Sequence, residues 1–317
     1  MTADPSLIYM TPSHREALVG LAYAVLERKG FVALTGEAGT GKTSLLARTL
    51  KTLPASRVAS SLVFNPSVNE AEFLELMLMD FGFVDIPTNK AQLFHKFHEF
   101  LLQTHAAGKI AVVVVDEAHR LKPSVLEEIR LLSNLELPGQ KLLQVVLAGQ
   151  PELIDVLSQP DLRQLSQRIS VRLTIDFLRP KEVEEYIALR WSKSAPTPPP
   201  FSRAAYADIV SWSRGIPRLV NAICDNALML VFAETASAVE SRHVAEACRD
   251  LSLIEHEVKH STPMNGTNKP LAKDYKAEFE AAKTPMPAPL PVRVPEALPP
   301  IPPIRRSRWL RITRRAQ

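Results

Sequence analysis

Residues 31–44 read FVALTGEAGTGKTS. Phe31 to Thr35 is a short apolar run that predicts a strand, and helical sequence resumes at Thr43. Between them, Gly36, Gly41, Lys42 and Thr43 fit G-x-x-x-x-G-K-[ST], with a further glycine at Gly39. Glycines let the backbone curl until successive N–H groups point inward, and the N-terminus of the following helix adds partial positive charge. In such a loop the lysine reaches the β- and γ-phosphates and the threonine hydroxyl takes a place on Mg²⁺. Gly36, Glu37, Ala38, Gly39, Thr40, Gly41, Lys42, Thr43 and Ser44 are therefore read as a cradle for a nucleoside triphosphate. An ordinary glycine-rich turn is the competing reading, but the flanking strand and helix are what the mechanism requires.

Further along, Ile110 to Val115 is almost purely β-branched, as expected of a central parallel strand buried on both faces. It runs into Asp116-Glu117-Ala118-His119, an apolar strand followed by Asp-Glu, which is the Walker B pattern. Charge at the tip of a buried strand needs a compensating ligand. Asp116 is placed to hold Mg²⁺ together with Thr43, and Glu117 to take the proton of a water attacking the γ-phosphate. Leu142 to Ala148 predicts the next strand and ends near Gln150, whose side chain either senses the γ-phosphate or caps the loop.

Strands and helices alternate through Ile169–Ile175, which predicts a doubly wound, five-stranded parallel α/β domain over residues 1–179. Ser13 and Glu16 form an S-x-x-E capping pattern that opens its first helix, with Ile8, Tyr9 and Met10 ahead of it, near the adenine or stapled to that helix. Residues 180–257 carry only helical periodicity in about four segments, a small all-α lid. From 258 to 317 the chain turns Pro-rich and basic, the composition of a disordered tail, and ends in arginines interleaved with Trp309, Leu310 and Ile312. That tail either meets anionic membrane or nucleic acid, or is simply solvated.

Composition narrows the class. With 46% hydrophobic and 23% charged residues in 317, the chain reads as a globular protein with a sizeable core. The start lacks a signal-peptide pattern and no apolar run approaches the ~20 residues of a membrane-spanning helix, so a cytoplasmic location is expected. Cys224 and Cys248 sit at apolar helical positions, as buried thiols do. The net charge of +4 is uneven: residues 258–317 hold 12 Lys/Arg against 4 Asp/Glu, leaving 26 against 30 in the remainder. Overall basicity therefore belongs to the tail.

With these pieces placed, the chain resembles an AAA+ ATPase, most closely the ExeA/GspA branch associated with type II secretion. The resemblance is carried in order by YMTPSHREAL, TGEAGTGKT, VVVVDEAH, VLAGQPEL, LRQLSQRI and GIPRLVN, over residues 8–256. It implies ATP and Mg²⁺ as ligands and ATP hydrolysis as the reaction. It also implies two arginine roles: Arg168 in LSQRI, or less well Arg163, reaching a neighbouring subunit's ATP, and Arg218 in GIPRLVN contacting the γ-phosphate across the lid cleft. An arginine acting in trans implies a homo-oligomer. Gln150 stands where the family more often has Asn. Secretion relatives commonly continue into a transmembrane helix and a peptidoglycan-binding region, and neither is read here.

Two functions follow from the resemblance. One is a cytoplasmic ATPase, peripheral at the inner membrane, driving assembly or remodelling of an envelope or export complex. The other is an ATP-dependent DNA-binding regulator of the transposition-accessory or replication-initiator type. An RNA helicase, suggested by the letters DEAH, lacks room for a second RecA-like domain. A GTPase lacks an N-K-x-D motif, since Asn89-Lys90 continues as Ala91-Gln92.

Overall fold

The computed structural model describes residues 8–64, 68–137 and 139–253; the tail expectation for 258–317 lies outside them. In chain order the elements are α1 (Pro12–Leu26), β1 (Phe31–Thr35), α2 (Lys42–Thr52), β2 (Val58–Val63), α3 (Glu70–Asp80), α4 (Lys90–Ala106), β3 (Ile110–Val115) and α5 (Pro123–Leu132). A two-stranded hairpin follows, β4 (Glu136–Leu137) with β5 (Gln140–Lys141), and then β6 (Leu143–Gly149), α6 (Glu152–Leu157), α7 (Arg163–Arg168) and β7 (Ile169–Thr174). Four helices complete the described chain: α8 (Pro180–Trp191), α9 (Arg203–Ser213), α10 (Pro217–Ala233) and α11 (Ser241–Asp250).

Five strands form one parallel sheet in the order β2-β3-β6-β1-β7. Alternation along each strand sends neighbouring residues to opposite faces, so the sheet splits two cores. Phe31, Val113, Val115, Val145 and Leu147 face Phe73, Leu93, Phe97 and Leu126 from α3, α4 and α5. Val32, Leu34, Val112, Val114, Val146 and Ala148 face Ala17, Leu21, Leu45 and Leu46 from α1 and α2. Burial on both faces explains why β1 and β3 read as continuous apolar runs.

A third core lies within the helical part: Val183 and Ile187 from α8, Ile209 from α9, Val220, Ile223 and Cys224 from α10, and Val244 and Cys248 from α11. Both cysteines are buried and in no disulfide, and burial pushes the Cys224 thiol up to about 12. The α/β and helical parts fall within one compact unit. Gly215 sits where they join: its carbonyl accepts from Leu178 N–H at 2.9 Å, and its φ is +73°. A Cβ there would lie 2.0 Å from the Leu178 oxygen, so only glycine fits.

One helix start differs from the sequence expectation. Thr11, rather than Ser13, caps α1: its hydroxyl accepts from His14 N–H, and Pro12 occupies the first helical position. Ser13 is already inside the helix, and its hydroxyl accepts from the Asp176 N–H just beyond β7. The β4–β5 hairpin leaves no mark in the sequence, because two-residue strands carry no periodic signal.

Candidate nucleotide site

A parallel sheet brings the carboxyl ends of its strands to one edge, and the strand order decides which loops become neighbours there. Here β6 lies between β3 and β1. The glycine-rich loop after β1, Asp116 after β3 and Gln150 after β6 therefore share one stretch of edge.

The loop is tightly wound. Gly39 and Gly41 adopt φ of +84° and +102°, which other residues reach only with strain. Thr40 Oγ1 donates to the Glu37 carbonyl at 2.8 Å. Lys42, the first residue of α2, is buried and donates from Nζ to the carbonyls of Gly36 at 2.7 Å and Glu37 at 2.9 Å. Burial lowers the pKa of its ammonium, and the nearby carboxylates of Glu117, Asp116, Glu37 and Glu152 oppose that. One turn of chemistry away, Thr43 Oγ1 donates to Asp116 Oδ2 at 2.5 Å. Asp116 is buried, and its other oxygen accepts from Glu117 N–H at 2.9 Å. Glu117 is held in the left-handed region at φ +54°, a conformation that costs on the order of 1 kcal/mol and that marks constrained sites. This donor set fits a triphosphate with Mg²⁺: a lysine ammonium held by backbone carbonyls, and a hydroxyl–carboxylate pair of hard oxygens beside it.

Two histidines that sequence reading passed over support this edge. Gln150 N–H donates to His119 Nδ1 at 3.3 Å, so the ring proton sits on Nε2, which lies 3.6 Å from Glu117 Oε2. His119 thus spans from the end of β6 to Glu117. It also packs so close to Gly149 that a Cβ there would approach its Nδ1 and backbone N to 3.2 Å. No hydrogen bond is made by the Gln150 side chain among the described residues; its backbone makes the contact. On the other side, buried His14 of α1 donates from Nε2 to the Thr40 carbonyl at 3.0 Å, while Nδ1 accepts from Thr11 Oγ1 at 2.6 Å. Desolvation holds its pKa below the ordinary value. Its spacing with Ala17, Leu21 and Ala24 on the buried face of α1 is the signal that marks it as inward-facing.

The helical part closes against the same loop. Arg218, in the first turn of α10, donates its backbone N–H to the Gly39 carbonyl at 3.3 Å, and a Cβ on Gly39 would meet Arg218 Cβ at 2.6 Å. Tyr9 of the entry segment hydrogen-bonds Glu185 of α8 and stacks edge-on against Tyr186 at 6.3 Å. Met10 packs on the α1/α2 face of the sheet. Arg168 stands apart from this group. It ends α7, just before β7, whose first residue pairs with Phe31 at the start of β1. Four strand steps at ~3.3 Å put it ~13 Å from the loop end of the sheet. Its guanidinium is held by Ser133 Oγ at 2.7 Å and Asn134 Oδ1 at 2.6 Å. Arg163 is exposed at the start of α7.

Comparison with known proteins agrees with this geometry. A family model described as an AAA domain matches residues 25–157. General secretion pathway protein A of Aeromonas hydrophila is 40% identical over 258 residues, which is 81% of this chain and 47% of that protein. The chain thus spans about half the length of the curated relative it matches. Among solved structures, Cdc6p from Pyrobaculum aerophilum superposes with a TM-score of 0.60 at 15% identity, over 78% of this chain and 71% of that one. The ORC2 protein of Aeropyrum pernix, in ADPNP–ADP complexes, gives 0.57 at 16% identity over 76% and 69%. The Thermotoga maritima RuvB Holliday junction branch migration motor gives 0.50 at 19% identity over 77% and 70%. At such identities the structural matches speak to the fold. Sheet order, loop geometry and the secretion relative together place the chain in the AAA+ family of P-loop proteins, on the branch of general secretion pathway protein A.

Proposed function

We propose that this chain binds ATP with Mg²⁺ and hydrolyses it, as a homo-oligomer that uses the cycle to assemble or remodel a secretion, envelope or export complex. The observation that carries the reading is the convergence of Lys42, the Thr43–Asp116 pair and Glu117 on one sheet edge.

The roles follow from chemistry. Backbone N–H groups of Gly36 to Ser44 and the α2 N-terminus hold phosphate oxygens, and Lys42 exchanges its two carbonyl acceptors for the β- and γ-phosphates. Thr43 and Asp116 hold Mg²⁺, which when bound neutralises charge on the phosphate oxygens. Glu117 accepts the proton of the attacking water. Gln150 sits at the γ-phosphate end as the polar strand-end group. Arg218 reaches the same phosphate from α10, and Arg168 serves the site of a neighbouring copy, where a permanently charged fork stabilises the developing negative charge. The secretion-related name of the 40%-identical relative supports an envelope partner, with the chain peripheral to the inner membrane. Among the described residues no helix is long and apolar enough to cross a membrane. A DNA-binding regulator is the alternative, and duplex DNA enters the test for that reason.

Steady-state ATP hydrolysis by the full chain, alone and with duplex DNA, tests the proposal. The parent turns over ATP and Glu117→Gln binds it without turnover. Hydrolysis by Glu117→Gln at the parent's rate removes Glu117 as the base, and no hydrolysis by the parent removes the enzyme reading.

A further inference from the structure

The five parallel strands also share a starting end, opposite the edge that carries the nucleotide site. Cations precede four adjacent strands there: Arg57 before β2, Lys109 before β3, Lys141 within the hairpin just before β6, and Arg28 with Lys29 before β1. Their contacts knit them into one group. The Arg28 guanidinium donates to the carbonyls of Lys109 at 3.0 Å and Lys141 at 3.4 Å. Lys141 Nζ donates to the Lys29 carbonyl at 3.1 Å, and Ile110 N–H to that of Arg57 at 2.8 Å. Lys29 Nζ stands 5.2 Å above the ring of exposed Tyr23.

The positive charge is unrelieved. Among the described residues none of the five cations forms an ion pair within 4.0 Å. The carboxylates nearest in sequence, Glu27 beside Arg28 and Glu136 across the hairpin from Lys141, are exposed and make no such pair. Arg28 has its pKa lowered by burial and then by repulsion from Arg57. Five cations crowd together although Asp and Glu outnumber Lys and Arg in residues 1–257. Hydrogen bonds to carbonyls account for Arg28 and Lys141. The side chains of Arg57 and Lys109 make no hydrogen bond among the described residues, so loop closure does not explain them.

A sheet end is a line, and three strand spacings of ~4.8 Å make this row ~14 Å long. One strand of a nucleic acid presents a phosphate every ~3.4 Å along its axis, so about four phosphates face five cations. We infer that the row Arg57–Lys109–Lys141–Arg28/Lys29 binds the phosphate backbone of a nucleic acid, with Tyr23 at its end. The row follows the line of the sheet end, a shape that suits a linear polyanion better than the two-dimensional headgroup plane of a membrane. The inference stands independently of the nucleotide chemistry.

The test is fluorescence anisotropy of the full chain with a labelled 20-base-pair duplex, without ATP, from 50 to 200 mM salt. Arg57→Ser/Lys109→Ser is the variant, since neither side chain makes an internal hydrogen bond among the described residues. Counterion release predicts a slope of log K against log salt shallower by about 2 and binding about 60-fold weaker at 0.1 M. Matched thermal melts establish that the variant is folded. Equal affinity and slope for parent and variant overturn the inference, because the contact then lies elsewhere, as in the arginines of 305–315. No duplex binding by the parent at 50 mM salt also overturns it. So does a loss seen only with phosphatidylserine vesicles, which would make the row a membrane contact.

Discussion

Glu117 carries the chemistry in the proposed mechanism, yet its own peptide is strained and its carboxylate is one-third exposed. Something has to aim it. His119 is placed to do so, with Nδ1 fixed on the Gln150 N–H and Nε2 3.6 Å from the carboxylate. His119→Ala is therefore expected to lower kcat about 10- to 100-fold with nucleotide Kd unchanged, and His119→Asn to recover part of the loss. Equal damage to Kd and kcat, measured by single-turnover hydrolysis and nucleotide titration, would reduce His119 to a packing residue. Lys42→Ala acts earlier, removing the phosphate contact and with it tight binding. The motifs that contain Lys42 and Glu117 are legible in the chain alone, because their spacing is local. His119 and His14 were not, since their partners lie 31 and 26 residues away in sequence.

At the scale of elements, α1 works as a clamp between the glycine-rich loop and the start of the helical part. His14 holds the Thr40 carbonyl, and Ser13 holds the Asp176 N–H. His14 is neutral in this role, with a pKa below the 6.5 of a free side chain. The unfolded chain therefore binds the extra proton first as pH falls, so the stabilisation is complete above about 6.5 and is lost below it. Thermal midpoints of the parent should drop between pH 7.5 and 5.5 more steeply than those of His14→Asn; parallel profiles would remove His14 from the account. Gly215→Ala places a Cβ 2.0 Å from a backbone oxygen in a left-handed residue. It should cost at least ~2 kcal/mol, or roughly 5 °C in Tm for a chain of this size. The helix is legible in its periodicity, but the S-x-x-E pattern points to Ser13 as its cap. The choice between Thr11 and Ser13 turns on where the backbone leaves helical angles, and Pro12 at the first position settled it.

For the whole molecule, the separation of Arg168 from the glycine-rich loop of the same chain is the telling feature. If it serves a neighbour, Arg168→Ala binds ATP normally but turns over little, and mixing it with Lys42→Ala restores activity in mixed assemblies. Mixtures that stay inactive would argue for a role within one subunit, such as its present hydrogen bonds to Ser133 and Asn134. The sequence by itself determined the α/β class, the phosphate loop, the acidic strand tip and the helical segments that follow, because each is written in residues a few positions apart. Tertiary structure alone decided the strand order that sets β6 between the two motif strands, the histidines that brace the site, and the gathering of Arg28, Lys29, Arg57, Lys109 and Lys141 at the opposite end. Those features depend on which strands become neighbours, and long-range pairing leaves no local pattern in a single chain.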